Sequence, residues 1–109
     1  DGARGYSYYN KGEQNLFLRC FSRSGRHDFT QSGFVTGPNA FVDCLATEAY
    51  AGTEPHMYFS NGLLYDNVRV EGPAASINVV SHGDDASGHG WQGAWTIMWN
   101  SGAKGIWEG

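Results

Sequence analysis

Apolar and polar residues alternate in short runs along this chain, and glycine punctuates the runs. Leu16 to Phe21 (LFLRCF) is a clear strand pattern. Leu16, Leu18 and Cys20 fall on one face, and Phe17, Arg19 and Phe21 on the other. Tyr6, Tyr8 and Tyr9 suggest a first strand, and His27 to Val35 another extended stretch. Ser76 to His82 (SINVVSH) reads as a buried strand. Trp95 to Asn100 (WTIMWN) reads as the last strong one, with Trp95, Ile97 and Trp99 facing the core. GIWEG is a short edge strand. Asn61-Gly62, between MYF and LLY, is a hairpin signal, because a tight primed turn needs positive φ at its centre. We read no internal repeat in this series.

One stretch departs from the period of two. In Asn39 to Gly52 (NAFVDCLATEAYAG) the apolar residues Phe41, Cys44, Leu45 and Ala49 recur at helical spacing. Asn39 is a capping residue and Gly52 a helix-ending one. The spacing predicts a helix over about 39–51. A helix of that length must pack on something to persist in water, and a sheet is the partner on offer.

The expected fold is therefore a single domain over 1–109, of α+β class. An antiparallel sheet of about five strands carries one helix. The alternative is an all-β sandwich or barrel. There are two cysteines, one in the Leu16–Phe21 strand and one on the helical stripe. A Cys20–Cys44 disulfide would pin helix to sheet. It would close a loop of about 25 residues and contribute about 3.5 kcal/mol. Such a bridge implies an oxidising, extracellular setting. The chain opens DGARGY without methionine, as a mature secreted protein or a boundary would.

Composition narrows the function classes. The net charge is −4, with 15% aromatic and only 17% charged residues. That argues against electrostatic capture of nucleic acid or anionic membrane as the main activity. No apolar run is long enough to span a membrane. Four tryptophans in 109 residues suit recognition of a glycan or a protein surface. Trp91 and Trp107, flanked by glycine and polar residues, are the candidate exposed anchors. Asp84, Asp85 and His89 in the polar loop GDDASGHG are their candidate partners. The loop His82–His89 holds two carboxylates and two imidazoles, a set that could hold a divalent ion. A solvated turn is its default, and no metal or cofactor is expected. Arg19, Arg23, Arg26 and His27 cluster about one turn.

Three functions follow. The leading one is a small secreted microbial binding protein, a toxin, effector or lectin-like module without chemistry of its own. The second rests on a resemblance. PHMYFSNG, after a helix, is similar to the histidine-bearing strand of guanyl-specific microbial ribonucleases. NVRVEG and INVVSHGDDASG resemble their arginine strand and the strand ending in the catalytic histidine. The resemblance implies phosphate-site or base roles for His56 and Tyr58, Arg69 as the phosphate cation and His82 as the general acid. No glutamate lies between His56 and Arg69, so that set is incomplete. The third is an enzyme inhibitor presenting the loop Gly83–Gly90.

Overall fold

A computed structural model describes residues 5–84 and 87–109. Its strands are β1 (Tyr6–Asn10), β2 (Leu16–Leu18), β3 (Phe21–Arg23), β4 (His27–Gln31), β5 (Asn39–Val42) and β6 (Leu45–Thr47). They continue with β7 (Leu63–Asp66), β8 (Arg69–Val70), β9 (Ser76–Val79), β10 (Ile97–Trp99), β11 (Gly102–Ala103) and β12 (Gly105–Glu108). Every strand pairing is parallel. No helix occurs among the described residues, so none is long and apolar enough to cross a membrane.

The chain winds as a β-solenoid. One sheet stacks β2, β5, β7 and β10; the next stacks β3, β6, β8 and β11. The third face is built from the pairs β1–β4 and β9–β12, with the bridges Gln31–Pro55 and Thr53–Ile77 between them. Leu16 pairs with Ala40 and Ala40 with Leu64, a step of 24 residues. The same step carries Phe21 to Leu45 and Leu45 to Arg69. The next coil is longer: Val68 meets Ser101 across 33 residues.

Each coil turns the same corner in the same way. Arg19, Asp43, Asn67 and Asn100 all adopt left-handed φ, between 47° and 53°. The amide of each of the first three donates to the residue before the next corner, at Val42, Asp66 and Trp99. Asn67 also donates its side-chain amide to Asp43 at 2.8 Å. Asparagine and aspartate tolerate this backbone better than other non-glycine residues.

Inside, Phe17, Phe41 and Tyr65 stack with ring centroids 4.7 and 5.8 Å apart. Phe29 abuts Phe41 from the third face, and the Tyr65 hydroxyl donates to the Phe29 carbonyl at 2.8 Å. Cys44, Val68, Ala46, Val70 and Ile77 complete the core.

These facts overturn the α+β reading. Residues 39–51 hold β5, a corner at Asp43 and β6, not a helix. The corner resets the alternation: Phe41, Cys44, Ala46 and Ala49 point inward. Steps of two and three then mimic a helical stripe. Asn39 caps nothing; it is buried, donating to Gly12 and Gln31. The sheets are parallel, so Asn61-Gly62 closes no hairpin. Gly62 does take φ +68°, but at a turn stacked on Gly37, where a Cβ on Gly37 would lie 1.8 Å from the Gly62 carbonyl oxygen.

The Cys20–Cys44 disulfide is absent. Both thiols are free and stand 4.3 Å apart on neighbouring coils. The argument for an oxidising compartment goes with it. In β2 Phe17 packs on the core, while Leu16 and Leu18 are exposed. Trp95 and Trp99 also lie outside, 86% and 67% exposed.

Candidate functional site

The chemistry gathers on the third face. Thr53 bridges Ile77 and points inward, so alternation sends Glu54 and Asn78 outward. Asn78 donates to Glu54 Oε2 at 3.5 Å, and Trp107 pairs with Asn78 one coil further on. Glu54, Ser76, Asn78, Val80, His82 and Trp107 line a cleft of about 320 Å³.

The long coil covers one end of it. After β9 the chain makes an excursion from residue 80 to 95, tied down by hydrogen bonds. Tyr58 N–H donates to His89 O, Gly93 N–H to Ser60 O, and Met57 N–H to the Gln92 side chain. Met57, Tyr58 and Phe59 all take positive φ, so this segment is a tight turn and not the strand that MYF suggests. The excursion carries His82 and His89 back over the preceding coil.

All four histidines of the chain thereby form one series. The centroid of His27 lies 5.1 Å from that of His56; His56 lies 4.9 Å from His89, and His89 5.1 Å from His82. Tyr6 stacks on His27. Glu54 sits beside the buried end: its Oε1 is 2.5 Å from His56 Nδ1 and 3.9 Å from His27 Nδ1. His27 Nδ1 also contacts the Gly52 carbonyl, and its Nε2 is buried without a partner among the described residues. The His27, Glu54 and His56 donor atoms all lie within 4.8 Å of one another, so these three could hold a metal ion.

Burial opposes charge on Glu54, yet the hydrogen bond from His56 and the nearby His27 and His56 rings outweigh it. Its carboxyl is held below the ordinary range, as a carboxylate. Burial pushes the His27 imidazole down, partly opposed by the Gly52 carbonyl and Glu54. His27 is therefore mainly neutral at pH 7, an electron-pair donor.

Of the residues singled out in the sequence, the structure brings together His56, His82, His89 and Trp107. Arg69 is not among them: it is exposed on β8, in a different sheet, beside Glu71 and Lys104. Tyr58 stacks on Phe34 at 5.5 Å. Trp91 is exposed and lines a separate hollow with Phe59 and Asn61. Asp84 is exposed, and Asp85 lies outside the described residues. Of the basic cluster, Arg23 pairs with Glu48 at 3.0 Å.

Sequence reasoning missed Glu54, and it placed His27 with the arginines. The 24-residue step is the signal that finds Glu54, since it sets that residue level with Asn78 on the outer row. A larger hollow, about 590 Å³, lies on the outside of the first sheet. Leu16, Ala40, Leu64, Trp95 and Ile97 line it, and it holds no titratable group. No family model matches the chain, and neither a curated protein nor a solved structure does.

Proposed function

We propose that the protein recognises a glycan in the cleft between Glu54 and Trp107. The observation that carries this reading is Trp107. Its ring is exposed on the row that includes Asn78 and Glu54. A sugar ring stacks its apolar face on an aromatic plane and needs hydroxyl partners at its edge. Ser76, Asn78, His82 and Glu54 supply amide, hydroxyl, imidazole and carboxylate groups there. A glycan array probed with the parent protein and Trp107→Ala tests it. The parent binds a defined glycan set and the variant loses about tenfold or more, roughly 1.4 kcal/mol. Absence of any glycan above background overturns the reading.

A second reading is turnover of the bound glycan, favoured by the meeting of His56, His82 and His89 with Glu54. His82, at the cleft, would be its proton donor or acceptor. Incubation of the bound glycan with the parent and with His82→Ala decides between them. New chain ends formed only by the parent make the protein an enzyme; none leaves it a binder. The phosphate chemistry implied by the ribonuclease resemblance lacks its cation here, because Arg69 stands in another sheet.

A further inference from the structure

We infer that His27, Glu54 and His56 form a binding site for one divalent transition-metal ion of the zinc class. All three residues are buried, and the coil brings His27 beside the Glu54–His56 segment. Two imidazoles and one carboxylate are a recurrent donor set for zinc and its neighbours, and hard cations such as calcium prefer more oxygens.

Donors that share one zinc at about 2.0–2.2 Å stand about 3.3–3.5 Å from each other. His56 Nδ1 and Glu54 Oε1 are somewhat closer, at 2.5 Å, and His27 Nδ1 and Glu54 Oε1 somewhat wider, at 3.9 Å. Closure on an ion asks these two pairs to move by about an ångström or less, and the three donors lie within 4.8 Å of one another. His27 Nδ1 donates its proton to the Gly52 carbonyl, so Nε2, buried with no partner among the described residues, holds the free electron pair, and ligation through Nδ1 asks that bond to be given up.

Charge points the same way. Glu54 is a buried acidic side chain flanked by the His27 and His56 imidazoles. The chain has no lysine or arginine paired with Glu54 among the described contacts. A dication supplies the missing positive charge and takes up an electron pair from each imidazole. His89, 4.9 Å from His56 ring to ring, is the next nitrogen donor outward.

Metal alone is the probe, so the result is independent of any glycan. The chelator-treated 109-residue chain is titrated with Zn²⁺, and separately with Co²⁺ followed by visible absorption. One equivalent binds, and Co²⁺ gives the absorption of a low-coordinate N/O site. Glu54→Gln weakens Zn²⁺ at least tenfold and removes the Co²⁺ bands; Arg69→Ala, in another sheet, stays within twofold. Should Glu54→Gln fail to match the parent circular dichroism, ring-nitrogen NMR of the parent substitutes. There, Zn²⁺ must shift the His27 and His56 resonances. No stoichiometric binding, unchanged affinity in a folded Glu54→Gln, or NMR shifts confined to His82 and His89 would each overturn the assignment.

Discussion

His56 Nδ1 lies 2.5 Å from Glu54 Oε1, and the two residues are separated in sequence only by Pro55. Proline lacks an amide hydrogen and fixes its own φ, and Pro55 is the residue that bridges Gln31 on the coil before. The pair is therefore set by local chain geometry as well as by the solenoid, while His27 and His89 arrive from the coils on either side.

Acid weakens this arrangement in two stages. Burial depresses the His27 pKa in the fold, whereas the unfolded chain takes up that proton near pH 6.5. Its contribution is complete above about pH 6.5 and is lost as pH falls toward the folded value. Glu54 is also depressed, so its contribution is complete above about pH 4.3 and is lost as pH falls through its folded value. Urea midpoints therefore fall as pH drops below about 6.5, and again as it drops below about 4.3. In His27→Gln the first drop is smaller.

The Tyr65 hydroxyl is fully buried and satisfies the Phe29 carbonyl. Tyr65→Phe leaves that carbonyl unpaired and costs about 1–3 kcal/mol. Phe41→Ala, in the middle of the ring stack, costs about 3–5 kcal/mol. Chemical denaturation monitored by circular dichroism measures both.

Arg19 is exposed and holds φ 53°. A non-glycine residue there carries about 1–2 kcal/mol of steric cost, and glycine escapes it at an entropic cost of about 0.5–1. Arg19→Gly therefore raises stability by about 0.5–1 kcal/mol. Asn67→Ala lowers it, because it keeps the strained corner and loses the bond to Asp43. Thermal melts of the two variants move in opposite directions.

Burial and the neighbouring Cys20 push the Cys44 thiol up to about 11. At about pH 8 it is almost wholly protonated, and the thiolate is the reactive form. Iodoacetamide modifies the folded chain slowly at Cys44. In denaturant, mass measurement counts two modified thiols without prior reduction.

The strands were legible, but their arrangement was not. Tyr6–Asn10, Leu16–Leu18, Ser76–Val79 and Ile97–Trp99 all carry the period of two that the sequence displays. What misled was the corner. A left-handed residue between two short strands shifts the inward face by one, so that Phe41, Cys44, Ala46 and Ala49 imitate a helix. The 24-residue step hid for a related reason. Its equivalent positions conserve size and burial but not identity: Phe17, Phe41 and Tyr65 inside, Cys20, Cys44 and Val68 after the corner. Exposed apolar residues added to the confusion, since Leu16, Ile97 and Trp99 point away from the core.

Three histidines of the site could be noticed one by one, yet nothing in their spacing put them side by side. His56 and His89 are far apart in sequence and meet because the longer coil folds back. Glu54 was not singled out in the sequence, and its role follows only from which face Thr53 takes.

The excursion at residues 80–95 sits in a coil whose flanking rungs keep their alignment, Leu64 with Ile97 and Arg69 with Gly102. The frame thus tolerates added chain at this one place without disturbing its pitch. Of the cleft lining only Val80 and His82 ride on that segment, so the rungs that carry Glu54, Asn78 and Trp107 keep their places whatever its length.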